Sequence, residues 1–321
     1  VTITYVVGAG GIGCAVGYAL IASGEPVVFV DANEDKVCCG NRTGVEVEGW
    51  EPRAATFQNF ETWQPLGGAT VLLCTKCYDN EIVLNRLPSD TTILPVQNGF
   101  DPRLEQRDHL WEGIASFVSE CLVDRPRTRI TRNGVLHIGP RRPGELAELP
   151  LVAQLLRRSQ LFRTKVVSNI EPFKYTKLMY NAAISPLAAA LGINNGQLLA
   201  LPKARRQFFD LLKENYEVLS RAGVPLARIG LFHPEVVSRI LRTPLLATVL
   251  AWAFYPSLRN SYCSMHGDLP RGQTEIDYYN LRLIQIAGDK PCPLNRRIYD
   301  LIKRMEANRI APSPSLLAEL I

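Results

Sequence analysis

Short apolar runs and helical apolar stripes alternate along the first half of the chain, and helical stripes alone follow in the second. Ile3 to Val7, Val27 to Val30, Val71 to Thr75, Thr92 to Val96 and Ile114 to Val123 predict strands, and Thr128 to Ile138 alternates as part of a hairpin. From Glu171 onward the spacing is helical through Leu178 to Leu191, Lys203 to Ala222, Pro234 to Leu241, Glu275 to Ala287 and Leu294 to Met305, with Pro202, Gly223-Val224-Pro225 and Pro291 as punctuation. Strand and helix in turn predict an α/β doubly wound sheet, followed by an all-helical part. Pro186 cannot donate to the Ala182 carbonyl and is expected to bend or end its helix. The tail Ala307 to Ile321, with Pro312 and Pro314, is expected to be loosely held.

The first predicted strand runs into Gly8-Ala9-Gly10-Gly11-Ile12-Gly13, the Gly-x-Gly-x-x-Gly pattern of a dinucleotide-binding turn. Gly8 permits the tight turn and Gly10 lets backbone approach a pyrophosphate. Gly13 lets the next helix pack close to the sheet, with its N-terminal amides toward the phosphates. Gly8, Gly10, Gly11, Ile12 and Gly13 are therefore cofactor-binding candidates, and the first half is a candidate Rossmann domain. The expected division is a dinucleotide-binding domain over residues 1–167 and a helical substrate-binding domain over 168–321.

Asp31 ends the second predicted strand, where a carboxylate accepts hydrogen bonds from a ribose 2′-OH and would repel a 2′-phosphate. NAD(H) is therefore favoured over NADP(H). The competing reading makes Asp31 only the start of a turn, with Lys36 or Arg42 receiving a phosphate.

Composition narrows the function classes. The 321 residues are 46% hydrophobic and 21% charged, enough for two ordinary cores. The net charge of +5 is modest, and the basic stretch Arg125 to Arg132 is interrupted by Pro126, Thr128 and Thr131. It reads as a solvated hairpin rather than a nucleic-acid face. The apolar run Leu245 to Tyr255 is too short to cross a bilayer, and no membrane partner is expected. The first residues already read as a strand rather than a leader, so a cytoplasmic protein is expected. The eight cysteines form no zinc set and are expected to be buried free thiols. His109, His137, His233 and His266 make no ligand motif, and no metal is expected.

Three constellations carry candidate chemistry. Lys177, Asn181 and Ser185 recur at i, i+4 and i+8 and so share one helical face; a solvated stripe would look the same. Lys76 and Asn98 stand at the carboxyl ends of two predicted parallel strands, where open α/β sheets bind ligands, although each also suits an ordinary loop. Ser264-Met265-His266-Gly267-Asp268 precedes Thr274-Glu275-Ile276-Asp277, in which Thr274 suits a helix N-cap and both carboxylates suit a first turn.

Taken together, the glycine turn, Lys76, Gln97-Asn98-Gly99, Lys177-Leu178 through Asn181 to Pro186-Leu187, Asn195-Gly196, Ser264-Met265 with Asp268, and Thr274 to Asp277 resemble the ketopantoate reductase family over essentially the whole chain. The resemblance implies a helical domain of the 6-phosphogluconate dehydrogenase C-terminal type. It also implies reduction of 2-dehydropantoate to pantoate with a nicotinamide cofactor, on the route to pantothenate. By the same resemblance Lys177 is the catalytic lysine that protonates the ketone oxygen, and Glu275 holds that lysine or the substrate hydroxyl. Asn181, Ser185, Asn195 and Ser264 bind substrate, and Asn98 and Lys76 lie with cofactor and substrate. Lys174, one turn before Lys177, is expected to be a surface charge. A small 2-oxo acid is the expected partner, and a homodimer is an expected assembly.

Departures from the family pattern bear on the substrate. Ser185 stands where an asparagine is usual, Gly267 replaces a glutamine, the stretch from Ser264 to Glu275 is one residue shorter, and Glu120 occupies a strand position where a small residue is expected. Asp31 replaces the basic residue of NADPH-using members. These leave open a reductase of another branched 2-oxo acid. A non-catalytic dinucleotide-binding regulator is the rival from a different class, disfavoured by the presence together of Lys177, Asn181 and Glu275.

Overall fold

The computed structural model describes residues 3–107, 111–142 and 149–320, so His109 lies outside the described residues. Two compact units are present: Val1–Gln97 with Asp101–Ile170, and Asn98–Phe100 with Glu171–Ile321.

The first unit runs β1 (Thr4–Val7), α1 (Gly11–Ala22), β2 (Val27–Asp31), α2 (Glu34–Thr43), β3 (Glu46–Val47), β4 (Thr56–Asn59), β5 (Thr70–Leu73), α3 (Asn80–Leu84), β6 (Thr92–Pro95), α4 (Pro102–Glu105), β7 (Trp111–Ala115), β8 (Val118–Cys121), β9 (Arg127–Arg132), β10 (Val135–Pro140), α5 (Leu151–Leu156) and β11 (Arg163–Val166). Its main sheet has the order β4-β2-β1-β5-β6 and every pairing is parallel. Both faces are buried. Val6, Phe29, Leu72 and Leu94 join one core with α1, while Tyr5, Val7, Val30, Val71, Leu73 and Ile93 join a second around Trp63. This is why these strands are apolar without alternation.

The single strand expected over Ile114 to Val123 is two, β7 and β8, and they belong to different small sheets, β11-β10-β7 and β3-β9-β8. Three arginines of β9 and the preceding turn pair with carboxylates, Arg125 with Asp124, Arg127 with Glu46, and Arg129 with Glu120 at 3.1 Å, while Arg132 donates to Ser116 O at 3.1 Å. Glu120 thus serves the hairpin as a partner for Arg129.

The second unit is helical: α6 (Glu171–Leu191), α7 (Asn195–Ala200), α8 (Pro202–Arg221), α9 (Pro234–Leu241), α10 (Pro244–Leu258), α11 (Ile276–Ala287) and α12 (Pro293–Asn308). Pro186 does not end α6, which continues to Leu191. The Ala182 carbonyl that Pro186 cannot serve accepts instead from Asn280 Nδ2 at 2.9 Å. Asn280 is fully buried and also donates to Asn295 Oδ1 at 2.9 Å, so a side-chain network satisfies the gap in the helix. The tail is not loose either. Ser313 N bonds to Ala190 O at 2.9 Å, Leu316 and Leu317 pack on the helical core, and Leu320 is buried; apolar anchors two and three residues beyond Pro314 outweigh the local proline signal. No described helix is long and apolar enough to cross a membrane.

Candidate active site

The glycine-rich turn joins β1 to α1. Gly8 has φ +95°, and a Cβ there would lie 2.8 Å from Thr75 N; one at Gly13 would lie 1.9 Å from Gly8 O. Both positions need glycine for backbone packing. Gly10 differs, since a Cβ there would meet nothing within 4 Å. Gly10 is the N-cap of α1, no side chain caps that helix, and its first turn holds no acidic residue. The helix end is therefore bare, and the open space over Gly10 fits a ligand's pyrophosphate.

Beside it, a bulge between Val118 and Ser119 sets β8 against the turn, so that a Cβ on Gly11 would strike Ser119 O at 2.6 Å. Ser119 Oγ is buried with no hydrogen-bond partner among the described residues. This hydroxyl at the helix N-terminus is a site candidate that sequence reasoning missed, because the bulge that aims it carries no sequence signal. Ile12, next to it, is half-buried.

Asp31 closes the turn from below. One carboxylate oxygen accepts from Ala9 N at 2.8 Å and the other from Asn33 N at 2.9 Å. Asp31 is thus both a turn former and a half-buried carboxylate at the glycine loop, with lone pairs to spare for a ribose hydroxyl. Lys36 is buried and its Nζ donates to Ala9 O at 3.0 Å. Arg42 is exposed in the last turn of α2, at the end of the helix away from Asp31.

The Ala9 carbonyl also lies within reach of the thiols of Cys14, at 3.2 Å, and Cys121, at 3.6 Å, whose sulfurs are 3.9 Å apart. Their mutual hydrogen bond, with burial, pushes Cys14 up, and the same bond pulls Cys121 down. All eight cysteines are free, but only Cys14, Cys77, Cys263 and Cys292 are buried; Cys39, Cys74 and Cys121 are half-buried, and Cys38, on the outer face of α2, is exposed. No group of three potential metal-ligating side chains occurs among the described residues.

Lys76 is half-buried in the loop after β5. That loop and the one after β6 are tied by an amide pair that sequence reasoning also missed. Asn80 Nδ2 donates to Gln97 Oε1 at 3.1 Å and to Asp101 Oδ2 at 2.8 Å, while Gln97 Nε2 donates to Asn80 Oδ1 at 2.7 Å and to Thr75 O at 2.8 Å. Asn98 to Phe100 associate with the helical unit, where Phe100 N bonds to Tyr278 O at 3.2 Å and its ring stacks on Tyr175.

Within the helical unit, α6 carries Lys177, Asn181 and Ser185 through one continuous helix. Lys177 is half-buried, and Asn181 and Ser185 are buried. Lys174 is buried rather than a surface charge: it is 7% exposed, with Nζ 4.7 Å from the centre of the Phe100 ring. A cation over an aromatic face holds it there.

Ser185 Oγ lies 3.3 Å from Ser264 Oγ, Ser264 Oγ lies 3.4 Å from Tyr279 Oη, and Tyr279 Oη donates to Glu275 Oε2 at 3.0 Å. Three of the predicted residues are thereby joined through a fourth, Tyr279, which was not foreseen. Tyr279 reads as a core aromatic, and its spacing of four from Glu275 on a helix was the available clue. Glu275, rather than Thr274, is the N-cap of α11 and no side chain caps that helix; Thr274, one residue earlier, accepts from Ile276 N at 3.2 Å, and the Glu275 carboxylate turns to Tyr279. Asp277 bonds to Tyr299 and Lys303, outside this chain of hydroxyls. Asn195 is apart from it too: its Nδ2 donates to Ser261 Oγ at 3.1 Å, and its buried Oδ1 has no partner among the described residues.

The family model described as Ketopantoate reductase PanE/ApbA matches residues 4–142, and that of its C-terminal part, Ketopantoate reductase PanE/ApbA C terminal, matches residues 169–306. The 2-dehydropantoate 2-reductase of Pyrococcus horikoshii is 26% identical over 94% of this chain and 97% of its own. That of Archaeoglobus fulgidus is 23% identical over the same shares. Among solved structures, D-mandelate dehydrogenase with NADH and anilino(oxo)acetate has a TM-score of 0.76 at 19% identity, covering 95% of this chain and 99% of its own. A PanE/ApbA family ketopantoate reductase from Ralstonia eutropha has a TM-score of 0.74 at 20% identity, covering 96% and 99%. A dimeric ketopantoate reductase from Staphylococcus aureus has a TM-score of 0.69 at 19% identity, again covering 96% and 99%. With a parallel dinucleotide-type sheet, a helical second unit and family matches through both, this chain belongs to the ketopantoate reductase family of oxidoreductases.

Proposed function

We propose that this protein reduces the ketone of a 2-oxo acid to an alcohol, with ketopantoate as the leading substrate and pantothenate synthesis as the setting. The observation that carries this reading is the likeness to proteins named 2-dehydropantoate 2-reductase along nearly the full chain. A bound reduced nicotinamide supplies the hydride. Gly10, Gly11, Ile12 and the amino end of α1 hold its pyrophosphate, and Asp31 accepts from its ribose. Lys76 and Asn98 lie with cofactor and substrate.

Lys177 supplies the proton to the ketone oxygen, and as an ammonium it first stabilises the negative charge growing there. Glu275 holds the lysine or the nascent hydroxyl, while Asn181, Ser185, Asn195 and Ser264 orient the acid. Purified protein is expected to oxidise NADH when ketopantoate is added. No turnover with any of a panel of 2-oxo acids, and with either cofactor, overturns the proposal.

NADH is proposed as the preferred cofactor, because Asp31 leaves no room for a 2′-phosphate without charge repulsion and Lys36 is committed to the Ala9 carbonyl. NADH is expected to bind at least tenfold tighter than NADPH, and Asp31→Arg to narrow or reverse the preference. Tighter NADPH binding by the unaltered protein makes Asp31 a turn former only.

One observation favours a second reading, the reduction of a different branched 2-oxo acid: Ser185 is shorter than the asparagine of the family pattern and donates a single proton. The substrate panel separates the two. Assembly as a homodimer is part of the proposal. A dimeric relative exists, and α10 exposes Leu245 (80%), Val249 and Trp252 (76%) on an uncharged helix. Light scattering at twice the monomer mass, lost on Trp252→Glu, is the expected result. Eight free thiols suit a cytoplasmic location.

A further inference from the structure

We propose that Cys14 and Cys121 are a redox pair beside the glycine-rich turn: a hydroperoxide joins them as a disulfide, and the bond lowers dinucleotide affinity until a thiol reductant opens it. The effect on affinity rests on the dinucleotide reading of the turn, whereas formation of the bond does not.

The two sulfurs reach one carbonyl from different elements. Cys14 follows Gly13 in the first turn of α1, and Cys121 ends β8. Their Sγ atoms lie 3.9 Å apart, and 3.2 and 3.6 Å from Ala9 O. The β8–β9 hairpin is seated on the turn, since the buried Thr128 Oγ1 of β9 lies 3.4 Å from Gly11 O and 3.0 Å from Glu120 O. Neither thiol takes part in the hydride chemistry proposed above.

Cys14 is buried, whereas Cys121 is half-buried and is the sulfur that a small oxidant meets first. The hydrogen bond from Cys14 also draws the Cys121 thiol down, with Lys36 acting in the same direction against burial, and the thiolate is the nucleophile in such chemistry. Cys121 sulfur attacks one peroxide oxygen; the S–O bond forms as the O–O bond breaks, the leaving oxygen takes a proton, and Cys121 becomes a sulfenic acid. Cys14 sulfur then attacks Cys121 sulfur. The S–S bond forms, the S–O bond breaks, and the thiol hydrogen of Cys14 leaves with the hydroxyl as water. Two thiols have lost two electrons and one hydroperoxide has gained them.

The disulfide acts on the turn because its sulfurs must sit about 2.05 Å apart, so their present 3.9 Å has to shrink by about half. Neither wall has slack. On one side α1 is so close to the turn that a Cβ on Gly13 would lie 1.9 Å from Gly8 O, and on the other a Cβ on Gly11 would lie 2.6 Å from Ser119 O of β8. The closure is taken up by Ala9 to Gly11 between them, where the space over Gly10 is open. Oxidation also removes both S–H groups near the Ala9 carbonyl, which keeps Lys36 Nζ at 3.0 Å.

The test treats reduced, full-length protein with hydrogen peroxide, then divides it between peptide mapping without reduction and titration with NADH. Wild type is expected to yield the Cys14 and Cys121 peptides as one linked species, and to bind NADH at least about tenfold more weakly than before treatment. Dithiothreitol is expected to reverse both changes, which methionine oxidation would not allow. Cys121→Ala and Cys14→Ala are each expected to show the same NADH affinity before and after peroxide, whatever that affinity is, and Cys14→Ala to hold Cys121 as a sulfenic acid that dimedone traps. Unlinked peptides in oxidised wild type, a linked form with unchanged NADH affinity, or variants that respond as wild type does overturn the inference and leave the reductase reading standing. Reduced wild type that binds neither NADH nor NADPH overturns the dinucleotide reading, and the control of affinity with it, while the peptide map still shows whether the pair forms.

Discussion

The sheet unit builds its candidate pyrophosphate site from backbone, in the one contiguous turn Gly8 to Gly13, whereas the helical unit assembles its candidate substrate groups from side chains as distant in sequence as Ser185 and Tyr279. A backbone site depends on what is absent, namely Cβ atoms. A side-chain site depends on what is present, namely hydroxyls and a carboxylate in hydrogen-bond reach. The first is consequently sensitive to added volume and the second to lost partners.

Gly13→Ala presses hardest on this contrast. Its Cβ would sit 1.9 Å from Gly8 O, and neither neighbour is a flexible side-chain end. A stability loss of about 3 kcal/mol or more is expected, the upper range for overpacking, together with loss of NADH binding in titration. Gly10→Ala sharpens the comparison, because nothing lies within 4 Å and φ is −82°. The fold is expected to melt within a degree or two of wild type while NADH affinity drops by at least about tenfold, about 1.4 kcal/mol. Equal melting losses for the two variants would mean that the turn's glycines serve packing alone.

In the helical unit the corresponding break is a lost partner. Asn280→Ala removes the donor to Ala182 O in α6 and to Asn295, and leaves buried acceptors unpaired. A cost of about 2 kcal/mol is expected, seen as a fall in melting temperature of several degrees, with kcat lowered because α6 carries Lys177.

A smaller effect is expected from pH in the sheet unit. Burial, helped by Lys165, holds His137 down at about 4, against an ordinary value of 6.5. The unfolded chain therefore takes up the proton first, and the stability tied to neutral His137 is complete above about pH 6.5 and is lost as pH falls toward 4. The unfolding free energy from denaturant titrations across that window is expected to fall by on the order of 2 kcal/mol more in wild type than in His137→Gln.

The same contrast governs what could be read from sequence. Gly8 to Gly13 and Asp31 were legible because a backbone turn that forbids Cβ atoms leaves glycines in a fixed local pattern. Lys177, Asn181 and Ser185 were legible as a stripe because helical periodicity is local too. Tyr279 was not, since its role arises only when Ser264 and Ser185 are brought to it by folding, and as a buried aromatic it resembles any core residue. Lys174 was misplaced at the surface for the same reason: Phe100, which holds it, lies far off in the chain. Asn280 was invisible until Pro186 was seen inside an unbroken helix with a carbonyl to satisfy.

The central claim is that the helical unit supplies the proton through Lys177 while the sheet unit holds the dinucleotide, and one measurement addresses it directly: kcat with NADH and ketopantoate for wild type and Lys177→Ala, with NADH affinity measured on the same samples. The expected result is a loss in kcat of about 10²-fold or more, the scale of a positioned acid, with NADH binding nearly unchanged. A Lys177→Ala protein that keeps near-normal kcat would contradict the account.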